Sequence, residues 1–434
     1  WLDREVLEAR YVAVSIDGEQ AVELRLDEPV PPGLWRFPTP PSGRMRGFAG
    51  DIVLPAAPPG SRHAVVFTAI FAKGGDSSTL VIPVERVEPQ KADPQLRGQS
   101  PRIAICMAVY NPEKAAFTRQ FNSIVGQNRE DWICIVNDDG SDSEHRAVIE
   151  TVIGGDPRFY CFRNERNLGF YGNFETTLSR VPEGVEYVAL SDQDDAWYPD
   201  KLERLVDALG DDALLSYSDM RLVDEDGGEI APSYWGYRRN AFEDLDLMLV
   251  ANTVTGAASM IRRELLDALL PFPPRIGDAF HDHWIACSAL ARGRIAYVDR
   301  PLYDYFQHRD NVIGHCGFDS RVDRKIRYGN LLQLLNPINA RSMLGRFTGA
   351  GQAVYWHECR RIESVCANIL VRSGVAAGKE RKLRAYGRGL RSTMALLGLN
   401  LKHRDSARLT NNAERRLAHG YVVHSALSAL GRLH

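Results

Sequence analysis

Apolar and polar positions alternate over short runs in the first hundred residues. "YVAVSI", "AVELRL" and "HAVVFTAIF" fit a period of two or a continuous apolar run, and "DEPVPPG", "PTPPSG" and "PAAPPGS" separate them. A period of two puts every second side chain on one sheet face, and Pro/Gly clusters break strands. Residues 1–97 are therefore expected to form a small accessory β-sandwich. A polar, proline-bearing linker follows in "VEPQKADPQLRGQSP". From Arg102 the pattern switches to strand alternating with helix. "RIAICMAV", "DWICIVND", "FYCFRN" and "EYVALSD" read as buried strands, and "EKAAFTRQFNSIVGQ", "SEHRAVIETVI", "FYGNFETTLSRV" and "PDKLERLVDAL" as helices, with Pro199 in the first turn of the last. That alternation predicts an α/β domain over 98–318 with a parallel, doubly wound sheet. Residues 319–434 read as helical, with an apolar face in "GQAVYWHECRRIESVCANILV" and mixed Arg/Lys and Leu/Met in "KERKLRAYGRGLRSTMALLGLNL".

Composition narrows the class. The chain has 434 residues, 44% of them apolar and 25% charged, which describes a soluble globular protein of two or three units. No apolar run approaches the roughly 18 residues of a spanning helix, and no signal peptide is visible. The chain starts at Trp1 rather than Met, as a trimmed or partial chain would. Its seven cysteines are odd in number and scattered. Cys106, Cys134 and Cys161 lie in strand-like runs, so they are expected to be reduced core residues of a cytoplasmic protein. The net charge is only −3, yet residues 321–434 hold 21 Lys and Arg against 6 Asp and Glu. A basic tail beside an acidic body points to an anionic partner, a lipid headgroup layer at the inner face of the membrane or a phosphate-bearing acceptor. The plainer reading is a solvated, Arg-rich helical appendix. No nucleic-acid partner is expected.

The candidate chemistry lies where predicted strands end. In "LSDQDDAWYPD", Asp192, Asp194 and Asp195 crowd three carboxylates into four positions. Such like charge is unfavourable without a cation or strong donors nearby. On an extended segment Asp192 and Asp194 share a face, which suits Mg²⁺ or Mn²⁺ if a substrate diphosphate completes the oxygen shell. Capping of the following helix accounts for Asp195 or Asp200 but not for the whole cluster. Asp138 and Asp139 end the second strand, either as an Asx turn or as acceptors for a base N–H or a ribose hydroxyl. Asn167 and Gly169 are turn residues or permit close backbone approach of a ligand. In doubly wound sheets, ligands bind beyond the carboxyl ends of the strands. His281 and His283 flank Asp282, but a zinc site would need further ligands that are not nearby in sequence. Trp284 reads as a core residue or as a stacking platform for an acceptor sugar. In the amino-terminal segment Trp1, Trp35 and Tyr11 are weak hints of sugar stacking. A haloacid-dehalogenase-type phosphatase would place its Asp-x-Asp after the first strand, and a dinucleotide-binding oxidoreductase would need a glycine fingerprint that is absent here.

"MAVYNP", "IVNDDGSDS", "NERNLGF", "LSDQDDAWYPDKLE", "TVTGAASMIRR", "HDHWIACSAL" and "YDYFQHRDNVIG" occur in this order over residues 102–316. In that series the chain resembles family 2 glycosyltransferases, and more narrowly their bacterial rhamnosyltransferase-like subgroup. The resemblance implies a GT-A fold, an inverting transfer from a nucleotide-diphosphate sugar, and a divalent metal, Mn²⁺ or Mg²⁺. It also implies a glycan or lipid-linked acceptor in surface polysaccharide synthesis, such as O-antigen. By the same resemblance Asp282 is the catalytic base, and Asp192, Asp194 and His308 are the metal set. It likewise implies that Asp138, Asp192 and Gly256 contact the donor, and Val109, Asp139, Asn167 and Gly169, at the same strand ends, are expected to complete the donor site. The chain departs from the pattern in "HD", where many relatives carry "ED" at the base position. The rival reading is a catalytically degenerate sugar-binding or scaffolding module.

Overall fold

The computed structural model describes the strands at 9–16, 19–25, 28–29, 46–47, 62–71 and 79–85. It also describes residues 101–237, 240–273, 275–277, 279–307, 348–372, 374–386, 389–402 and 413–429. In the amino-terminal segment β1 (Ala9–Ile16), β2 (Glu19–Arg25), β5 (Arg62–Phe71) and β6 (Thr79–Glu85) form an antiparallel sheet in the order β2-β1-β5-β6. The short strands β3 (Glu28–Pro29) and β4 (Arg46–Gly47) pair separately. The predicted strands are therefore present, whereas a sandwich would need a second full sheet, which is not among the described residues. Trp1 and Trp35 lie outside the described residues.

The central sheet is built around four short, buried strands: β7 (Ile103–Val109), β8 (Trp132–Asp138), β9 (Phe159–Arg163) and β10 (Tyr187–Ser191). All four run parallel. Ile105 stands opposite Cys134 of β8 on one side and Ala189 of β10 on the other. Continuous apolar runs suit strands covered on both faces. The covering helices are α1 (Lys114–Val125), α2 (Ser143–Ile153), α3 (Gly169–Ser179) and α4 (Lys201–Leu209). Helix α2 begins where the Asp142 carboxylate accepts from the N–H groups of Glu144 and His145, and ends at Gly154 with a φ of 56°. That left-handed conformation costs glycine nothing. Helix α4 starts after Asp200, so Pro199 precedes the helix and is not in its first turn.

Beyond β10 the expectation of an all-parallel sheet fails. Past β11 (Ala196–Trp197), the long strand β12 (Ala213–Val223) and a short β13 (Glu229–Ala231) lead to β14 (Ser259–Arg262). β14 inserts antiparallel between β10 and β12, and β15 (Arg294–Phe306) returns parallel to β12. The result is a mixed nine-stranded α/β sheet. Four residues that follow a 3₁₀ turn at Gly256–Ala258 are too few to show a strand period, yet Met260 and Ile261 pair on both sides.

Helices α5 (Leu245–Val250), α6 (Leu266–Leu269) and α7 (His281–Arg292) follow this region of the sheet. Every residue of α7 from His281 to Ala291 is buried. Such all-round burial needs cover on both sides. Strands β12 and β15 cover one side, and α5, α6 and the carboxyl-terminal helix α8 (Arg360–Val371) cover others; α9 (Lys379–Ala385), α10 (Gly389–Lys402) and α11 (Ala413–Ala429) follow α8. Ile362, Ile369 and Leu383 of α8 and α9, with Cys359 just before α8, belong to the same apolar core as Trp284 and Ile285. The Arg372 guanidinium donates to the carbonyls of Ala268 (2.9 Å) and Leu269 (2.7 Å) and lies 4.9 Å from the Trp284 ring centroid. The ammonium of Lys379 donates to Gly293 O at 2.8 Å, just past the end of α7. The described part of the tail is thus packed structure and not a solvated appendix. Trp284 is a core residue at 1% exposure and cannot stack on a sugar. Cys106 and Cys134 are buried thiols as expected, but Cys161 is exposed because it sits on the edge strand β9.

Candidate active site

Three parallel strands deliver their carboxyl ends to one place. Val109 closes β7, Asp139 follows β8, and Asp192 follows β10; all three line a cavity of about 960 Å³. Asn167, Gly169, Asp194, Gly256 and Asp282 line it as well. Eight of the ten sequence candidates therefore share one cavity. His308 lies outside the described residues.

Asp138 does not line the cavity. Its Oδ1 accepts from the N–H of Ser141 at 2.9 Å and its Oδ2 stands 3.7 Å from Arg163 Nε, so it caps the turn after β8. Its neighbour Asp139 faces inward and holds the loop after β9. It accepts from the N–H groups of Leu168 (2.9 Å) and Gly169 (2.8 Å) and from Asn164 Nδ2 (2.7 Å). Gly169 carries a φ of 73°, which favours glycine. Asn167 Oδ1 accepts from the same Gly169 N–H at 2.9 Å. Beneath them, Asn137 donates to Asn164 (3.0 Å) and Asn173 (2.7 Å), and Asn173 donates to the carbonyls of Asn137 (3.1 Å) and Val109 (3.3 Å). Buried amides satisfied in this way fix three strand ends relative to one another.

Burial, then the neighbouring Asp194 and Asp282 carboxylates, push the Asp192 carboxyl up to about 7. Among the described residues, no three His, Cys, Asp or Glu side chains are grouped so as to hold a metal ion by themselves. Two oxygen-bearing side chains facing a wide cavity do suit a hard divalent cation that takes its other ligands from a diphosphate. Asp282 sits in the first turn of α7, with Phe280 and not Asp282 at the N-cap. Its carboxylate accepts from the N–H groups of His283 (2.6 Å) and Gly256 (3.3 Å). Burial raises the Asp282 carboxyl to about 6 despite these donors. The two histidines face different ways, as helical spacing requires. His283 Nε2 pairs with Met248 O at 2.7 Å, while His281 lines the cavity.

Several cavity residues were not singled out by the sequence. Gln193 clamps the loop after β7, accepting from Tyr110 N–H (2.8 Å) and donating to Tyr110 O (3.2 Å). Arg119 of α1 donates to Asp194 O at 2.6 Å and lies 3.4 Å over the Phe306 ring. Behind the cavity Lys201 is fully buried, 3.9 Å from the Trp197 ring and 4.3 Å from the Tyr303 ring, and donates to Ala257 O at 2.5 Å. The Asp195 carboxylate, also buried, has no hydrogen-bond partner. Burial drives both groups toward neutrality, the carboxyl upward and the ammonium downward, and their mutual attraction opposes it. A signal for Lys201 existed, because it shares the apolar stripe of α4 with Leu205 and Leu209, where a lysine is out of place.

Residues 104–270 match the family described as Glycosyl transferase family 2. Relatives are distant. An uncharacterized protein, y4gI, of Sinorhizobium fredii is 29% identical over 130 residues, covering 29% of this chain and 14% of that one. A protein named dTDP-rhamnosyl transferase RfbG, of Shigella flexneri, is 26% identical over 234 residues, covering 50% of this chain and 77% of the relative. The chain thus spans only a small part of the first relative's length. Among solved structures, S. aureus TarS 1–349 aligns with a TM-score of 0.44 at 12% identity, over 76% of this chain and 88% of that one.

Proposed function

Because this chain carries a family 2 glycosyltransferase domain, with residues 104–270 matching that family, we propose that it moves a sugar from a nucleoside-diphosphate donor to a hydroxyl of a glycan or lipid-linked acceptor. The observation that carries the reading is the convergence of Asp192, Asp194 and Asp282 with the Asp139–Gly169 loop on a single cavity. Transfer proceeds by one displacement. The acceptor oxygen attacks the anomeric carbon, the bond to the diphosphate breaks, and the configuration inverts. Asp282 takes the proton of the attacking hydroxyl. A carboxylate raised to about 6 is a stronger base than an ordinary one and is still ionised at neutral pH. Asp192 and Asp194, with His308 as a third ligand, would hold a divalent ion, which when bound neutralises charge on the departing diphosphate. Val109, Asp139, Asn167, Gly169 and Gly256 are assigned to the donor through the cavity wall, and Asp138 through the turn it caps.

The catalytic unit is assigned to 98–318, with 1–97 as an accessory β domain and 319–434 as the helical region. Likeness to a protein named as a dTDP-rhamnosyl transferase makes dTDP-rhamnose the first donor to test. Among the described residues no helix is long and apolar enough to cross a membrane. Helix α10 does expose Met394, Leu397 and Leu401 along one stripe, beside an exposed Arg391. With the basic surplus of the tail, this face is assigned to the anionic inner surface of the membrane, where a lipid-linked acceptor would sit.

The test is a panel of nucleotide sugars incubated with the protein and Mn²⁺ or Mg²⁺, with release of the nucleoside diphosphate as the readout. Hydrolysis of at least one sugar is expected, abolished by chelation and by Asp194→Asn. A chain that binds nucleoside diphosphate but turns over nothing, with or without acceptor glycans, is a scaffolding module instead.

A further inference from the structure

His281 is 7% exposed, lines the cavity, and has no hydrogen-bond partner on either ring nitrogen. A buried polar nitrogen without a partner is costly, and native interiors rarely leave one. The ring is nonetheless held firmly. It stacks on Phe174 at 3.8 Å between centroids and 18° between planes, with Phe170 edge-on at 6.2 Å. Its position depends on Gly256, because a Cβ there would stand 2.5 Å from His281 Nε2. His283, two residues on, spends its Nε2 on a backbone carbonyl. One imidazole of α7 is thus structural, and the other is oriented and left unsatisfied beside the carboxylate assigned as base.

We infer that His281 is a specificity-determining residue whose imidazole binds a sugar hydroxyl in the cavity, an inference that rests on the transferase reading above. A neutral imidazole offers one N–H and one lone pair, and a hydroxyl both accepts and donates, so the two are complementary. Burial keeps the ring neutral, lowering its pKa to about 3. A carboxylate at this position could only accept, whereas the imidazole also donates, so His281 admits a hydroxyl pattern that an acidic side chain would not. The hydroxyl belongs either to the donor sugar or to the acceptor.

His281→Phe keeps the ring on Phe174 and removes both nitrogens. If the donor sugar is the ligand, KM for hydrolysis of the nucleotide sugar identified by the panel rises about tenfold. Affinity for the matching bare nucleoside diphosphate with Mn²⁺, measured by calorimetry, stays unchanged. If the acceptor is the ligand, hydrolysis is unchanged and the acceptor KM rises by the same factor. His281→Gln, which restores a donor and an acceptor, recovers most of the loss. Unchanged KM values in both arms overturn the inference, as does an equal loss of bare nucleoside diphosphate binding, which marks a structural role. Should His281→Phe fail to fold, ¹⁵N-histidine spectra of the wild type decide. The His281 ring nitrogens must shift on adding nucleotide sugar or acceptor beyond any shift caused by nucleoside diphosphate alone, and a silent ring overturns it. A wild type that hydrolyses and transfers nothing sinks the transferase reading, while an active wild type matched by an equally active His281→Phe sinks this inference alone.

Discussion

Asp282 is ionised at neutral pH against the preference of its surroundings. Its carboxyl is raised to about 6 mainly by burial, so between the unfolded value near 4 and pH 6 the folded chain keeps a proton that the unfolded chain has released. Stability from this group is therefore full below that window and is lost as pH rises through it. A shift of this size corresponds to roughly 3 kcal/mol. Two opposite outcomes follow for Asp282→Asn. Turnover falls by about 10²–10⁴-fold, the usual worth of a general base. Stability at pH 7.5, measured by denaturant unfolding, is equal to or above that of the wild type. In the wild type, kcat/KM climbs as pH passes 6 and then levels; a profile flat from pH 5 to 8 would remove Asp282 from the base role. Lys201 poses the reverse problem, a buried amine whose charge burial opposes and the nearby Asp195 and Asp192 carboxyls favour. Lys201→Met removes the cation that favours ionised Asp195, so the variant should be less stable than the wild type, most of all above neutral pH. Adding Asp195→Asn should recover most of the loss, and a double variant no more stable than the single one would show that the two groups do not interact.

At the scale of elements, the chain was legible where one period dominated. Strands β7 to β10 and helices α1 to α4 fall within two residues of their sequence bounds, because continuous apolar runs and caps such as Asp142 leave little choice. β14 was not legible, since four residues after a 3₁₀ turn carry no period and its direction is set by partners on both sides. The cavity was legible through strand ends, but which of Asp138 and Asp139 faces it was not. A one-residue choice in a turn is decided by Ser141 and Arg163 on one side and the Leu168–Gly169 amides on the other. Helix α10 raises the same issue of facing. Met394, Leu397 and Leu401 are respectively 66%, 44% and 65% exposed, so their side chains already meet solvent. Replacing Met394 and Leu397 with Glu should leave the melting temperature within a degree or two. It should lower binding to vesicles containing anionic lipid by at least tenfold, since it removes apolar insertion and adds like charge. Wild-type protein that ignores such vesicles in low salt would end the membrane assignment.

Across the whole molecule, the acidic cavity and the basic tail are joined through α7. The amino end of that helix brings His281 and Asp282 to the cavity, and its flanks and far end are held by the tail. Arg372 takes up the carbonyls of Ala268 and Leu269 beside Trp284, and Lys379 takes up Gly293 O past the last turn. Cations at a helix carboxyl end are favourable, and hydrogen bonds from charged donors are worth about 1.5–3 kcal/mol each. If the tail braces α7, Arg372→Ala should lower stability by about 2–4 kcal/mol, because the carbonyls of Ala268, Leu269 and Pro271 lose the guanidinium and the Trp284 ring loses its cation. Turnover per folded molecule at low temperature should stay close to that of the wild type, since the amino end of α7 is still fixed by Gly256 and Phe174. Thermal unfolding and activity measured on one preparation separate the two effects. An unchanged melting temperature would return the tail to the status of a solvated appendix. A collapse of activity without loss of stability would mean instead that the tail sets the angle at which Asp282 meets its substrate.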